Sequence, residues 1–141
     1  MTFPAERPRP AGRSDRPLTR HPGPGAGMKT TFETSHFAVR VSCGPSALIE
    51  VTGELDLCAV PTFEAAVDSL DLASIPRTVL DLRRLDFIDA AGLHAVLDLH
   101  AACLEVCSAL AITPGPRHVQ RVFALAAVDH LLLFDHGVTD Q

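Results

Sequence analysis

The sequence of 141 residues contains no tryptophan, tyrosine or asparagine, and Lys29 is its single lysine. It has no uninterrupted apolar stretch of about 18 residues, the length a helix needs to cross a bilayer, so we expect no membrane insertion. The N-terminal stretch lacks the apolar segment of a secretory signal peptide. The four cysteines show no paired-motif spacing. Together these absences predict a reduced, cytoplasmic protein without disulfides.

Charge and proline are unevenly distributed along the chain. Residues 1–27 hold five arginines against two acidic residues, a net charge of +3, so residues 28–141 carry −8 of the total of −5. The proline-rich start has almost no apolar periodicity, which predicts a disordered arm over residues 1–28. We expect one domain over residues 29–136 and a flexible tail over residues 137–141. The acidic domain argues against direct nucleic-acid binding, which needs clustered arginine and lysine.

Apolar periodicity predicts a β-hairpin followed by alternating helices and strands. Apolar and polar residues alternate from Phe37 to Val51 around a turn at Gly44-Pro45, which is typical of a hairpin. The later patterns are, in order, a helix from Pro61, a strand at residues 79–82, a helix from Ala90, a strand at residues 109–113, a helix after Pro116 and a strand at residues 131–134. This order predicts an α/β sandwich with a mixed sheet of four to five strands, starting with the hairpin and packed with helices.

The most informative stretch surrounds Asp89, between a predicted strand and the second helix. Asp89 stands at the N-cap position, where its carboxylate can accept hydrogen bonds from amides of the first turn. Gly92 costs the helix about 1 kcal/mol relative to alanine, which indicates that something approaches the backbone closely there. Apolar spacing from Leu93 through Val96 to Leu104 predicts the face that this helix turns toward the core.

Two short motifs resemble one known family. Gly53-Glu54-Leu55-Asp56 ends the hairpin, and Asp89-Ala90-Ala91-Gly92-Leu93 opens the second helix. In this order and separation they resemble STAS domains (sulfate transporter and anti-sigma factor antagonist), and specifically the bacterial anti-sigma factor antagonists. The resemblance covers about residues 37–136 and implies the STAS-type sandwich.

The resemblance also exposes departures from the family pattern. In that family the residue after the aspartate is a serine, and a kinase phosphorylates it to switch binding off. Ala90 occupies that position here, so the resemblance implies no phosphorylation at it. Cys107-Ser108 and Ala127-Val128 stand where the family often has glycine.

The function implied by the resemblance is a binding module that engages an anti-sigma factor, usually a serine kinase of the GHKL type, and so releases a sigma factor for transcription. The residues expected to meet this partner are Glu54, Asp56, Asp89, Ala90, Ala91, Gly92 and His94. Without the phosphoacceptor, the chain is either an always-on antagonist, regulated through its amount, or serves another STAS role. One such role is the small accessory subunit that braces the ATPase of an ABC transporter.

An enzyme or a metal-binding protein is the less favoured alternative, and we predict no catalytic residue, metal site or cofactor. His100, Cys103 and Cys107 are spaced to share one helix face, which suits zinc, but that face is apolar and favours core packing. Four carboxylates are expected along one edge of the sheet: Glu54, Asp56, Asp86 and Asp89. They can be interpreted as a general acid–base cluster or a Mg²⁺ site, but we prefer helix capping and partner contact.

Overall fold

The computed structural model describes residues 28–135, so the predictions for the arm before Met28 and for the tail lie outside the described residues. The described elements are β1 Met28–Glu33, β2 Phe37–Cys43, β3 Ala47–Leu55, α1 Val60–Asp68, β4 Arg77–Ile88, α2 Ala90–Glu105, β5 Ala109–Thr113 and α3 Arg117–Leu125. A single 3-10 turn, Leu72–Ser74, lies between α1 and β4. Within residues 28–135, no helix combines the length and apolar character needed to cross a bilayer.

The five strands form one sheet in the order β1-β2-β3-β4-β5. β1, β2 and β3 pair antiparallel, whereas β4 pairs in parallel with both β3 and β5. Each parallel pair needs a crossover, which α1 supplies between β3 and β4 and α2 supplies between β4 and β5. The predicted α/β class, with a mixed sheet packed against helices, is confirmed.

β1 precedes the predicted hairpin and extends it into a three-stranded antiparallel meander. The hairpin itself forms as β2–β3, with Val41 opposite Ile49. In β1, residues 29–31 are exposed and Phe32 is half-buried. The strand lies at the sheet edge and pairs with β2 alone, so it does not need the apolar alternation that identifies a strand in a sequence.

The predicted last strand at residues 131–134 does not form. Only Phe134 makes an isolated parallel bridge, to Ile112. Leu131 and Leu133 are 53% and 63% exposed. Leu132 is buried and Phe134 is half-buried, so the run packs on the core without pairing as a strand. The fifth strand of the sheet is β1 instead.

The core lies between one face of the sheet and the helices. Along β3, Ala47, Ile49 and Val51 are buried, whereas the intervening Leu48 and Glu50 are half-exposed. This alternation is typical of a sheet covered by helices on one face at this position. The largest fully buried side chains come from strands and helices alike: Phe63, Phe123, Ile49, Leu55, Leu80, Leu82, Leu85, Leu99, Ile112, Val39, Val51 and Val96.

Helix α2 contributes a stripe of buried residues that begins as predicted and then departs from the prediction. Leu93 and Val96 are buried, and Leu99 and Cys103 continue the stripe. Leu104 is 65% exposed, so its predicted place on the core face is wrong. Each residue turns about 100° around the helix axis, which carries Leu104 away from the stripe that Cys103 completes.

Candidate functional site

Asp89 joins the start of α2 to the loop that follows β3. Its Oδ1 accepts a hydrogen bond from the Gly92 amide at 2.9 Å, which makes it the N-cap of the helix as predicted. Its Oδ2 accepts from the Leu57 amide at 3.1 Å. Both oxygens are thus used, and the aspartate fixes the loop against the helix in addition to capping it.

Gly92 is a glycine because the backbone of β3 passes against it. A Cβ at this position would lie 2.2 Å from the Leu55 carbonyl oxygen, a distance that no real side chain tolerates. Leu55 itself is fully buried, and its carbonyl accepts from the Asp89 amide at 3.3 Å. The predicted close approach at Gly92 is confirmed, and it locks the end of β3 to the first turn of α2.

The Gly53-Glu54-Leu55-Asp56 motif forms a bulged strand end that packs on the β1–β2 turn. Gly53 has φ +94°, and a Cβ there would lie 2.2 Å from the His36 carbonyl oxygen. Its neighbour Glu54 donates its amide to that same carbonyl at 3.0 Å. The Glu54 side chain is exposed, so of the motif's two acids it is the more accessible to a partner.

Both carboxylate oxygens of Asp56 already have contacts within the chain. Its Oδ1 accepts from the Ala59 amide at 3.0 Å, and its Oδ2 lies 3.2 Å from Nε2 of His36. Desolvation alone would raise the pKa of the Asp56 carboxyl, but the hydrogen bond to His36 and the amides of Ala59 and Cys58 outweigh it and hold that pKa below its usual value. Asp56 is therefore a carboxylate that organises the loop.

Exposed apolar side chains stand beside these polar groups, and the sequence patterns did not reveal them. Leu57 is 71% exposed and Phe87 is 46% exposed. Glu54 and Phe87 are paired across β3 and β4, at the carboxyl ends of two parallel strands. Ala90 and His94 are exposed on the first turns of α2, four residues apart and so on one helix face.

The exposure of Phe87 has a local cause. The pairing of β3 with β4 shifts register twice, between Glu50 and Thr52 and between Gly53 and Glu54. Simple alternation from buried Leu85 would bury Phe87 as well, but the irregular strand buries Ile88 in its place.

We call Glu54, Leu57, Phe87, Ala90 and His94 the docking surface. Ala91 is half-buried, and Asp89 and Gly92 hold the surface in place from beneath.

Two other predicted groupings do not assemble. α2 ends at Glu105, so exposed Cys107 lies beyond the helix and does not share a face with His100 and Cys103. Desolvation raises the pKa of the buried Cys103 thiol, although a hydrogen bond to Thr78 opposes it, so the reactive thiolate is disfavoured.

The four carboxylates expected along one edge of the sheet do not form a single cluster. Within residues 28–135, the group of side chains spaced to hold a metal ion consists of His36, Glu54 and Asp56. Asp86 and Asp89 are not part of it. The backbone carbonyl of Asp86 instead hydrogen-bonds Nε2 of His118 on α3.

Comparison with known proteins agrees with this architecture. The sequence profile of a family described as "Mlab, STAS domain" matches residues 41–133, about two thirds of the chain. The chain belongs to the STAS domain family. No curated protein sequence matches it significantly.

Solved structures similar to this one include antagonists of anti-sigma factors. An anti-sigma factor antagonist from Mycobacterium paratuberculosis superposes with a TM-score of 0.61 at 17% identity, over 84% of this chain and 92% of that one. The anti-sigma factor antagonist SpoIIAA in its unphosphorylated form gives 0.59 at 18% identity, over 71% and 90%. The Bacillus cell fate determinant SpoIIAA in its phosphorylated form gives 0.51 at 16% identity, over 78% and 93%. At these identities the likeness establishes a shared fold.

Proposed function

We propose that this STAS domain is a non-catalytic binding module that sequesters an anti-sigma factor and so releases a sigma factor for transcription. The observation that carries the proposal is the pair of exposed apolar side chains, Leu57 and Phe87, beside the rigid start of α2. Phenylalanine is enriched in protein interfaces, and an aromatic or aliphatic anchor at the centre of a binding surface is a usual feature of recognition. The fold shared with solved anti-sigma factor antagonists supports the same interpretation.

The charge of the chain favours a partner with a basic docking face. Residues 28–141 carry a net charge of −8, and exposed Glu54 adds a carboxylate to the rim of the docking surface. Opposite charge on the partner would speed association and orient the two proteins. The proposed partner is an anti-sigma factor of the GHKL serine-kinase type, acting in the cytoplasm.

The proposed antagonist is not switched by phosphate at the start of α2. Ala90 and Ala91 carry no hydroxyl, so a kinase has no acceptor at either position. A phosphoserine there would add about 1.5 to 2 negative charges next to the partner. Without that modification the surface stays available, and the cell would regulate it through the amount of protein.

The same missing hydroxyl favours a second candidate. An accessory subunit that braces the ATPase of an ABC transporter needs a constant surface and no phosphate switch. The docking surface would then contact the ATPase instead of an anti-sigma factor. Affinity purification from the native host distinguishes the two, because a serine-kinase anti-sigma factor supports the first and a transporter ATPase supports the second.

The decisive variant for both candidates is Ala90→Asp. Ala90 is exposed beside the free amides of the helix start, where an acid gains about 0.3–1 kcal/mol from the helix dipole, less the repulsion from Asp89. Stability should therefore change little. A charge desolvated in the interface is costly, so we expect at least a tenfold loss of affinity for the captured partner, about 1.4 kcal/mol.

Ala101→Asp is the matched control, since Ala101 is exposed in the C-terminal half of the same helix, about three turns from Ala90. It should bind the partner like the wild type when affinities are measured by calorimetry. Ala90→Ser should also bind normally, and the wild type should incorporate no phosphate at this turn with a cognate kinase. Equal affinity of Ala90→Asp and wild type would place the interface elsewhere.

A further inference from the structure

Three side chains with metal-ligating atoms converge beside the docking surface, from two separate parts of the sequence. His36 lies in the turn between β1 and β2, while Glu54 and Asp56 lie at the end of β3. One ligand atom from each lies within 4.8 Å of the other two. His36 and Asp56 are half-buried and Glu54 is exposed, so a cation can reach the group from solvent.

The backbone around two of these ligands is already fixed. The His36 carbonyl accepts the Glu54 amide at 3.0 Å and lies too close to Gly53 for any side chain there. The Asp56 carboxylate is oriented by the Ala59 amide at 3.0 Å. Only the Glu54 side chain, for which the described residues provide no hydrogen-bond partner, has to rotate. A site that needs one side chain to move loses little conformational entropy on binding.

The spacing of the fixed pair suits a small tetrahedral ion. Nε2 of His36 lies 3.2 Å from Oδ2 and 3.3 Å from Oδ1 of Asp56. Zinc bonds of about 2.0–2.2 Å at tetrahedral angles place neighbouring ligand atoms roughly 3.3–3.5 Å apart. The two ligand atoms are therefore already at the separation that a shared zinc ion requires. The other imidazole nitrogen, Nδ1, lies 3.4 Å from Oγ of Ser35, which can orient the ring as an outer partner.

The ligand chemistry selects among metals. Mg²⁺ and Ca²⁺ prefer oxygen ligands alone, whereas this group combines an imidazole nitrogen with two carboxylates. Imidazole suits zinc and its neighbours among the transition metals. We propose that His36, Glu54 and Asp56 bind one Zn²⁺ ion, with the fourth position open to water.

Such an ion would link the β1–β2 turn to the loop after β3. That loop includes Leu57, whose amide is held by Asp89, so zinc would stiffen the edge of the docking surface. The ion would also place two positive charges on an otherwise acidic rim. The inference goes beyond the proposed function and does not depend on it, because it concerns only this chain and the metal.

The test is calorimetric titration of the full-length, untagged and reduced protein with zinc chloride. We expect one ion per chain with a saturable affinity, and a rise in melting temperature with zinc because the ion binds the folded state. Glu54→Gln and His36→Gln should each weaken this binding at least tenfold. Glu54→Gln is the cleaner variant, because the exposed Glu54 carboxylate supports no backbone contact among the described residues.

Two matched variants separate this site from adventitious binding. Glu64→Gln alters another exposed glutamate, on α1, and should leave zinc affinity unchanged. Cys58→Ser removes the exposed thiol that lies two residues from Asp56 and should also bind normally. Zinc binding lost in Cys58→Ser but retained in Glu54→Gln and His36→Gln would overturn the assignment. Failure to saturate at millimolar zinc would overturn it as well.

Discussion

At the scale of single residues, two helices end on backbone conformations that usually call for glycine. Among residues 28–135, Cys107 and Ala127 are the non-glycine residues with positive φ, at 60° and 59°. Each lies two residues beyond its helix and is followed by a residue whose amide reaches back into the last turn. Ser108 donates to the Cys103 carbonyl at 2.9 Å, and Val128 donates to the Phe123 carbonyl at 3.2 Å. These are Schellman caps built without glycine.

Ala127→Gly should therefore stabilise the protein. A left-handed alanine costs about 1–2 kcal/mol, whereas glycine adopts this conformation freely but loses about 0.5–1 kcal/mol through its more flexible unfolded state. We expect a net gain of about 0.5–1 kcal/mol in the free energy of unfolding, measured by urea denaturation. Ala126→Gly is the control, because its φ of −82° is ordinary and glycine there should destabilise the fold. A loss of stability in Ala127→Gly would contradict the strain argument.

Leu57→Ser tests an anchor of the docking surface. Leu57 is 71% exposed, so its removal should change the free energy of unfolding by less than about 0.5 kcal/mol. If Leu57 is an interface anchor, partner affinity should fall by more than 1 kcal/mol, about fivefold or more. Leu125→Ser removes a leucine that is 75% exposed at the end of α3, outside the docking surface, and should leave affinity unchanged. Equal binding by both variants would remove Leu57 from the interface.

At the scale of elements, α2 combines a face packed in the core with an exposed start, for which we propose a recognition role. Its buried stripe fixes the helix on the sheet, and Asp89 and Gly92 fix its first turn against the end of β3. Ala90 in that turn and His94 one turn further along are exposed side chains on this ordered helix start. Recognition by an ordered helix end costs little ordering entropy when a partner binds.

Leu93→Ala tests the structural face. Leu93 is 7% exposed at the start of the stripe, and truncation of a buried leucine costs about 2–5 kcal/mol through lost burial and the cavity that remains. Leu104→Ala makes the same chemical change on the same helix at a residue that is 65% exposed, and should cost less than about 0.5 kcal/mol. Chemical denaturation of both variants measures the difference. Similar losses for the two leucines would mean that α2 faces the core differently.

The elements also show which features a sequence can predict. The Asp89 cap was predictable because capping follows from local backbone chemistry. The close approach at Gly92 was predictable because a glycine in the first turn of a helix costs stability and so indicates a neighbour that excludes a side chain. β1 was not, since an edge strand of threonine and lysine carries no alternation of apolar residues. The exposed Phe87 was missed because a register shift between neighbouring strands leaves no mark in the sequence of either strand. The approach of His36 to Asp56 is likewise a product of chain topology, across 20 residues.

At the scale of the whole molecule, the charge of the chain is divided between a basic start and an acidic remainder. Residues 1–27 carry +3 and residues 28–141 carry −8. The described fold begins with β1 at Met28, so the change in composition coincides with the first strand of the sheet. Disorder of the arm before Met28 stays a prediction from its proline content and its lack of apolar spacing.

That prediction can be tested by shortening the chain at two points. A protein that begins at Met28 keeps all five strands. It should melt within error of the full-length chain, because a disordered arm would contribute no packed surface. A protein that begins at Ser35 lacks β1, and with it the pairing of residues 28–33 with β2 and the contacts of β1 with α1. It should melt several degrees lower, since about 1 kcal/mol shifts the melting temperature of a domain of this size by roughly 4–8 °C. Limited proteolysis of the full-length chain should likewise stop near Met28. If removing residues 1–27 alone lowers the melting temperature strongly, the arm packs on the domain. If removing β1 leaves the melting temperature unchanged, the sheet is stable without its edge strand.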